Sequence, residues 1–248
     1  MVYNKFVLKN EREKNMKKFL KLLLMLLTIA IIIGLSVFIF FMYQANEIYQ
    51  KALAESSIEE RVKKIQSDDD YTKIDDVSSD FKYAIIAIED HRFEDHGAVD
   101  FISIGRAIYR NITSRSLSEG GSTITQQLAK NIIFSQEQSL TRKIAEILAA
   151  VDIEKKYSKD EIIELYVNII YYGDGYYGIH DASYGYFKKA PSELSFDEAT
   201  LLAGIPNAPS VYSLSNNPDL ARQRQKYVIQ SMIDYGFVTE EYVNSVKW

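Results

Sequence analysis

Apolar and polar positions divide this chain into an apolar N-terminal run and a longer region of amphipathic segments. Residues 19–43 form a run of 25 residues that contains one charge, Lys21. Because a helix rises about 1.5 Å per residue, such a run can cross a hydrocarbon core of about 30 Å. The pattern predicts one transmembrane helix, with residues 44–79 following it as a polar and partly helical connector.

From residue 80 to the end of the chain, apolar residues recur at helical spacing. Polar residues that can cap the first turn of a helix precede five of these segments. These residues are Thr123, Ser139, Ser158, Ser195 and Asn217. Three of them have a glutamate or glutamine three residues later, which is the pattern of a capping box. No convincing strand alternation appears, so residues 80–248 are predicted to form one almost entirely helical domain.

Composition and charge narrow the classes of function. The net charge of −5 gives no general reason to expect a nucleic-acid partner. The absence of cysteine excludes disulfides, thiolate metal sites and a cysteine nucleophile. Three histidines, scattered along the chain, do not predict a zinc site.

Basic residues dominate the segment before the apolar run. Residues 1–18 contain six lysines and arginines against two glutamates. The positive-inside rule places this tail in the cytoplasm and the helical domain outside the membrane. The alternative is a cleaved signal peptide, but the apolar run is much longer than the usual core of about 7–15 residues. We therefore expect an uncleaved, single-pass membrane anchor.

Residues 120–131 read GGSTITQQLAKN and form the stretch richest in hydrogen-bonding groups. Two glycines allow a tight turn, and the helix after it would carry Gln126, Gln127, Lys130 and Asn131 on one face. The amides of the helix start and the Lys130 ammonium together suit a phosphate or diphosphate. The alternative is an ordinary capped surface helix.

Two glutamates are further candidates for chemistry. Glu89 follows the apolar run 84–88, and a carboxyl at the edge of a buried segment tends to have a raised pKa, which suits general acid or base catalysis. Its alternative role is that of a surface acid. Glu146 follows Arg142 by four residues, which in isolation is typical of a surface ion pair.

Several of these segments, taken in order, resemble the motifs of the peptidoglycan glycosyltransferases, glycosyltransferase family 51. The similar segments are EDHRFEDH at 89–96, GSTITQQLAKN at 121–131, RKIAE at 142–146, ELYVN at 164–168 and AGIPNAPS at 203–210. The likeness extends over residues 81–236. The family also has a single N-terminal anchor in this orientation, as in its monofunctional transglycosylases.

The resemblance implies a lysozyme-like helical large lobe and a smaller lobe that touches the membrane. Residues 101–115, where apolar residues alternate with arginines, would belong to that smaller lobe or form an ordinary amphipathic helix. The implied activity is polymerisation of lipid II into β-1,4-linked glycan, with inversion at the anomeric carbon and release of polyprenyl diphosphate. The implied partners are lipid II, the nascent lipid-linked glycan, the bacterial membrane, other cell-wall synthesis proteins and the inhibitor moenomycin.

The resemblance also implies roles for individual residues. Glu89 matches the family's general base, and Glu146 matches its second glutamate, which would hold a metal or the basic cluster. Lys130, Arg142 and a divalent cation, Mg²⁺ or Mn²⁺, would stabilise the leaving diphosphate. The further residues expected to bind substrate are Asp90, Phe93, His96, Arg106, Ser122, Thr123, Gln126, Gln127 and Asn131.

Two positions depart from the family pattern. Ala98 stands where the family usually has glycine, and Gln138 stands where it commonly has a basic residue. The alternative functions are a lysozyme-like lytic enzyme, an inactive membrane scaffold, and the first domain of a bifunctional penicillin-binding protein. A lytic enzyme would leave Lys130, Arg142 and the anchor unexplained. A bifunctional penicillin-binding protein would carry the Ser-x-x-Lys box of a transpeptidase, and no such box follows the domain here.

Overall fold

The computed structural model describes residues 2–114, 121–134 and 139–248, so that Gly120 and Gln138 lie outside the described residues. The described residues form helices and turns without a β-strand, and their only ladder-like contact is an isolated bridge between Tyr171 and Tyr177. The α-helices are α1 (Val2–Glu55), α2 (Ile58–Gln66), α3 (Ser79–Glu89), α4 (Phe101–Ser114), α5 (Ile124–Ile133), α6 (Leu140–Lys156), α7 (Lys159–Ile169), α8 (Gly178–Phe187), α9 (Phe196–Ala203), α10 (Pro218–Asp234) and α11 (Glu240–Ser245). The prediction of a mainly helical fold is confirmed.

Five helices begin directly after the polar residues that the sequence predicts, although the Asn217 side chain makes no capping hydrogen bond. Four side chains accept a hydrogen bond from the backbone N–H three residues further on, namely those of Thr123, Ser139, Ser158 and Ser195. Ser158 and Ser195 belong to complete capping boxes. The prediction of a full box at Thr123 is wrong, because the Gln126 side chain donates to the Ala98 carbonyl instead of reaching back.

Helix α1 joins the apolar run to the helical domain without a break. Its side chains from residue 14 to residue 40 are exposed, and the stretch Lys14–Glu55 is long and apolar enough to cross a membrane. Beyond the apolar run, Ala45 and Tyr49 are buried where α1 packs on α6. The Tyr49 hydroxyl donates a 2.9 Å hydrogen bond to Asp152 on α6. The first part of the predicted connector is therefore a helix fixed to the domain.

The core of the domain lies around α7. Helix α5 packs against both α6 and α7, and α3 packs against both α9 and α10. The largest fully buried side chains include Phe81 on α3 and Tyr166 on α7, together with Tyr172 just beyond that helix. The C-terminal end of α3 meets α5 at the edge of this core, where Gln127 contacts Glu89.

The fourth of the family-like segments fixes the connector to α7. The Glu164 carboxylate accepts a 2.6 Å hydrogen bond from the Tyr71 hydroxyl and a 2.8 Å bond from the Ile74 N–H. The Asn168 amide donates to the Thr72 carbonyl and accepts from the Thr72 N–H. Glu164 and Asn168 are thus structural residues that close the connector over the domain.

Helix α4 presents large apolar side chains on the surface of the domain. Phe101 is 79% exposed, Ile102 61% and Tyr109 70%. Large apolar side chains on the exposed face of a helix are typical of a surface that contacts a lipid bilayer or another protein. Residues 101–114 form a helix, and both interpretations of this segment, a membrane-touching lobe and an ordinary amphipathic helix, stay predictions.

Candidate active site

Glu89, the last residue of α3, has a buried carboxyl group. Its Oε2 accepts a 2.8 Å hydrogen bond from the Gln127 side chain on α5. Its Oε1 is buried and has no hydrogen-bond partner among the described residues. Burial raises the pKa of Glu89, and the charge of Asp90 adds to this rise. The hydrogen bond from Gln127 and the charge of Arg224 lower the pKa and offset part of the rise. The expectation of a carboxyl with a raised pKa is confirmed.

Gln127 is held in turn by a tyrosine of the core. The Tyr166 hydroxyl donates to Gln127 Oε1 at 3.0 Å. Burial, with the charge of Glu89 adding to it, raises the pKa of Tyr166 well above its ordinary value, so this hydroxyl stays protonated and remains a donor. Because Tyr166 occupies the oxygen of the amide, the nitrogen must face Glu89. The sequence analysis includes Tyr166 only as part of the ELYVN segment and does not predict this role.

Asp90 and His96 form a buried pair beside Glu89. His96 Nε2 lies 2.7 Å from Asp90 Oδ1, and Asp90 Oδ2 accepts a 3.0 Å bond from the Ile124 N–H at the start of α5. Phe93 is fully buried beneath this turn, with Lys159 Nζ 4.4 Å from its ring centroid. These contacts give Asp90, Phe93 and His96 a structural position, and of the three only Asp90 lines the pocket described below.

Thr123 and Gln126 also face the protein interior. The Thr123 hydroxyl donates a 3.0 Å bond to the Ala98 carbonyl, and the Gln126 amide donates a 2.8 Å bond to the same oxygen. Both residues are about 2% exposed. They hold the turn that carries Ala98 against α5, so the sequence-based expectation that the Gln126 amide shares a ligand-facing side with Lys130 is wrong.

Lys130 and Asn131 lie further along α5. The Asn131 side chain donates a 2.9 Å bond to the Gln127 carbonyl and is otherwise exposed. Lys130 is partly exposed and makes no ion pair within the described part of the chain. Its ammonium group can therefore bind an anionic ligand without losing an ion pair to any of the described residues.

A basic cluster surrounds Glu146 on α6. Glu146 is 1% exposed, its Oε1 lies 3.2 Å from Arg142 Nη2, and its Oε2 lies 3.1 Å from Lys143 Nζ. Lys143 Nζ also donates a 2.8 Å bond to the Ser122 hydroxyl. The glutamate of the Arg142–Glu146 pair is therefore buried, whereas the spacing of the two residues in the sequence is typical of a surface ion pair. Lys143 was not among the predicted site residues, although its place beside Arg142 in the third segment could have indicated it.

Arg106 connects α4 to this region. Its guanidinium donates a 2.9 Å bond to His91 Nε2 and a 3.1 Å bond to the Ser103 hydroxyl. Burial and the charge of Arg106 lower the pKa of His91, which keeps this ring neutral and able to accept. His91 stacks on Tyr235 at 3.7 Å between ring centroids. Arg106 thus fixes α4 to the rest of the domain.

A small cavity of about 30 Å³ brings several of these groups together. Glu89 lines it at the end of α3 and Asp90 directly after that helix, Ser103 and Arg106 line it from α4, and Ser122 and Thr123 line it from the turn before α5. Lys143 is linked to it through its bond to Ser122. A buried carboxyl with one free oxygen thus lies beside polar and cationic groups, which suits proton transfer next to a developing negative charge.

The residues around Glu146 do not fit a metal ion held by the protein alone. Both carboxylate oxygens already lie near a guanidinium or an ammonium group. Among the described residues, the groups close enough to hold a metal ion are Asp90 with His96 and Asp100 and a second group around His180, and neither includes Glu146. Glu146 is thus better suited to holding the basic cluster, and its metal role stays a prediction.

Comparison with known proteins agrees with these observations. The family model described as Transglycosylase matches residues 56–233. Penicillin-binding protein 1F of Bacillus subtilis is 43% identical over 166 residues, which cover 67% of this chain and 23% of that protein. Penicillin-binding protein 1A of Neisseria flavescens is 46% identical over 170 residues, 68% of this chain and 21% of that protein.

A shorter relative is matched over most of its length. A Cupriavidus necator protein, named as a candidate transglycosylase, is 44% identical over 170 residues, which cover 68% of this chain and 73% of that protein. The chain spans about a fifth of the length of the penicillin-binding proteins that it matches. The region that the family model matches, residues 56–233, contains Glu89, the Gln127 helix and the basic cluster, and the chain belongs to the transglycosylase family, glycosyltransferase family 51.

Proposed function

We propose that this protein polymerises lipid II into peptidoglycan glycan strands. In this reaction the growing chain, still attached to its lipid diphosphate, is the donor, and the 4-hydroxyl of an incoming lipid II is the acceptor. Membership of the transglycosylase family supports the reaction class. The chemistry of the site supports the assignment of the individual steps.

One observation carries the proposal, namely that Glu89 and Ser122 line the same cavity while Lys143 donates to Ser122. A glycosyl transfer that expels a diphosphate needs a base for the acceptor hydroxyl and cations for the leaving group. Both requirements meet at this cavity. A hydrolase acting on finished glycan would need no cluster of cations at this point.

Glu89 is the proposed general base. As the acceptor oxygen attacks the anomeric carbon of the donor, its proton moves to the Glu89 carboxylate, while the bond from the anomeric carbon to the diphosphate oxygen breaks. The Oε2 atom is held by Gln127, so the free Oε1 is the atom that takes the proton. Attack from the face opposite the leaving group inverts the anomeric carbon and gives the β-1,4 link.

Lys143, Arg142 and Lys130 are the proposed partners of the leaving diphosphate. Charge-assisted hydrogen bonds from ammonium and guanidinium groups to phosphate are strong, and Arg142 brings a planar fork of donors. Glu146 holds Arg142 and Lys143 together. A divalent cation, Mg²⁺ or Mn²⁺, stays part of the proposal because diphosphates bind such ions, but we assign it no protein ligand.

The proposed location is the cell membrane, with the N-terminus in the cytoplasm and the domain outside. The apolar part of α1 and the basic residues before it support this orientation. The exposed apolar side chains of α4 support a second contact with the lipid surface. A membrane-proximal cavity would keep the polyprenyl part of the substrate in the bilayer.

The proposed function is tested by incubating the detergent-solubilised full chain with labelled lipid II and Mg²⁺ and separating polymer from monomer. The wild type should form polymer, and Glu89→Gln should form it about 10²–10⁴-fold more slowly because the general base is lost. Glu94→Gln is the matched control, since Glu94 is an exposed glutamate of the same segment. Turnover by Glu89→Gln within about threefold of wild type, with an unchanged melting curve, would refute the base assignment.

A further inference from the structure

His91 lines the same cavity as Glu89 and follows it by two residues in the chain. Its Nε2 atom lies 2.9 Å from Nη1 of Arg106, which lines the cavity from α4. A second contact, between Nδ1 of His91 and Nη2 of Arg106, is longer at 3.5 Å. A guanidinium has donors only, so Nε2 must be the acceptor of the shorter hydrogen bond. The segment that carries Glu89 and a cation of the cavity are thus in direct contact through His91.

Two contacts hold the Arg106 guanidinium, and each fixes it relative to a different element. Its Nη2 donates a 3.1 Å hydrogen bond to the Ser103 hydroxyl, which in turn donates to the Asp100 carboxylate. Ser103 lies on α4 itself, one turn before Arg106, so this contact orients the side chain on its own helix. His91 lies in the turn that follows α3, so the hydrogen bond to His91 fixes the guanidinium relative to Glu89.

Helix α4 takes its place in the domain through such side-chain contacts. Among the described residues, the extensive contacts between helices connect α1 to α3 and α5 to α10 in various pairs, and none of these pairs includes α4. A displacement of α4 would therefore move Arg106 relative to Glu89, unless a contact between the two segments opposes it. The Arg106–His91 hydrogen bond is such a contact.

Tyr235 holds the imidazole of His91 from a third element. The two rings are stacked, with 3.7 Å between their centroids and 21° between their planes. Tyr235 directly follows α10, and Gly236 after it has the left-handed conformation, with φ of +76°, that commonly ends a helix. Phe237 then packs against Tyr83 of α3, with 6.0 Å between ring centroids. The end of α10 is thus fixed on α3 and places the Tyr235 ring against His91.

We propose that His91 and Tyr235 are positioning residues of the active site, which hold the Arg106 guanidinium at the cavity beside Glu89. The stack fixes the plane of the imidazole, and the imidazole fixes the guanidinium, whose carbon lies 5.9 Å from the centroid of the Tyr235 ring. Arg106 then meets the anionic part of the lipid-linked substrate as a cation that is already oriented. The proposal rests on the proposed function, and neither His91 nor Tyr235 needs to touch the substrate.

The test is a double-mutant cycle in the detergent-solubilised full chain, with kcat/KM for lipid II polymerisation as the readout. The cycle consists of wild type, His91→Phe, Arg106→Gln and the double variant. Phenylalanine keeps an aromatic ring that can stack on Tyr235 but has no acceptor. His91→Gln, in contrast, supplies a neutral acceptor without the ring. Tyr235→Ala removes the stack, and Tyr227→Ala is its matched control, because Tyr227 is a tyrosine of α10 that is 66% exposed.

Arg106→Gln should lower kcat/KM by about 10–10²-fold, which corresponds to the loss of one hydrogen bond to a charged group. His91→Phe should also lower it, and combining the two substitutions should cause no further loss, because His91 acts through Arg106. His91→Gln should restore most of the rate that His91→Phe loses. Tyr235→Ala should lower the rate and Tyr227→Ala should not. If the melting curve shows that His91→Phe does not fold, Tyr235→Ala takes its place in the cycle with Arg106→Gln.

A second readout does not need activity. The Nε–H resonance of Arg106 is observed in protein labelled with ¹⁵N on arginine and is assigned by its loss in Arg106→Gln. This resonance should shift in His91→Phe and return towards its wild-type position in His91→Gln. An unchanged resonance in folded His91→Phe would overturn the proposal, since His91 would then not hold the guanidinium.

The rates can overturn the proposal in two further ways. If the losses of His91→Phe and Arg106→Gln multiply in the double variant, His91 has a structural role that does not pass through Arg106. If the resonance shifts while kcat/KM of His91→Phe equals that of wild type, the contact does not serve the reaction, although the proposed function stands. Wild type that forms no polymer, together with a shifted resonance, would refute the proposed function and would uphold His91 as the residue that positions Arg106.

Discussion

Replacing His96 by glutamine should destabilise the domain most strongly at mildly acidic pH. In the wild type, Nε2 of His96 lies 2.7 Å from Asp90 Oδ1, and Nδ1 lies 2.6 Å from the Gly97 carbonyl oxygen. Two acceptors require two N–H donors, so the contacts fit the imidazolium form. Burial alone would lower the pKa of His96, but the hydrogen bonds to Asp90 and to the Gly97 carbonyl outweigh it and raise the pKa.

The size of the effect follows from the burial of the pair. The side chains of His96 and Asp90 are 6% and 4% exposed, so solvent screens their interaction little. A hydrogen bond between charged groups contributes about 1.5–3 kcal/mol. Glutamine retains one neutral donor at most, and we expect most of this contribution to be lost. For a domain of about 150–250 residues, each kcal/mol lowers Tm by about 2–4 °C, which gives a decrease of about 3–12 °C.

The pH dependence has a defined sign. A histidine whose folded-state pKa is raised stabilises the fold fully below its unfolded pKa of about 6.5. This stabilisation declines as the pH rises through the folded pKa, because the imidazolium then loses its proton in both states. Glutamine does not titrate. The difference in unfolding free energy between wild type and His96→Gln should therefore be largest near about pH 5.5 and should shrink towards alkaline pH.

The assay is thermal unfolding of the detergent-solubilised full chain, followed by circular dichroism at several pH values. His180→Gln is the matched control, because that imidazole is 33% exposed and lies 3.3 Å from the exposed Asp70. Exposed pairs of this kind contribute about 0–1 kcal/mol, so the control should stay close to wild type. If the difference in unfolding free energy between wild type and His96→Gln is constant from about pH 5.5 to 8.5, the stabilisation by the His96–Asp90 pair does not depend on the imidazolium.

Three further predictions concern the site and the anchor. Tyr166→Phe should lower the free energy of unfolding by about 1–3 kcal/mol and slow polymerisation, because Gln127 loses the donor that orients it towards Glu89. The control is Tyr172→Phe, which removes a hydroxyl with only a 3.4 Å contact and should change the rate little. Equal effects of the two substitutions in melting and rate assays would contradict a role of Tyr166 in orienting Gln127. Lys130→Ala should weaken moenomycin binding by about 1.5–3 kcal/mol in titration calorimetry without changing Tm, whereas unchanged affinity would make it an ordinary surface lysine. A chain without residues 1–43 should still float with liposomes through α4, and a truncated chain that stays monodisperse without detergent and does not float would argue against a second membrane contact.

Local signals predicted the elements of this fold well. Ser139, Ser158 and Ser195 cap their helices because a cap depends on a few neighbouring residues. The apolar run before Glu89 likewise indicated a buried carboxyl, since burial of a helix follows from its own pattern. The continuation of α1 into the connector was less visible, because a polar stretch with a few apolar residues does not reveal which helix will pack against it.

The contacts between segments could not be predicted in the same way. Helical spacing places Gln126, Gln127 and Lys130 on related faces of α5, but it does not say which face meets α3, α6 or α7. In the structure Gln126 donates to the Ala98 carbonyl, Gln127 donates to Glu89, and Lys130 is partly exposed. Because α5 packs on two helices, most of its polar side chains are used inside the protein. Tyr166 was missed for the same reason, as its partner lies 39 residues away.

The same reasoning separates the two glutamates that the sequence could only name together. Glu89 and Glu146 are both carboxyls at helical positions within family-like segments. Glu146 lies between Arg142 and Lys143, whose side-chain nitrogens are 3.2 Å and 3.1 Å from its two carboxylate oxygens. Glu89 has one neutral donor on one oxygen and leaves the other oxygen free, while burial raises its pKa. A base must have a free oxygen and must be able to hold the proton it takes, so these environments favour Glu89 as the proposed base and Glu146 as the proposed organiser of the cations.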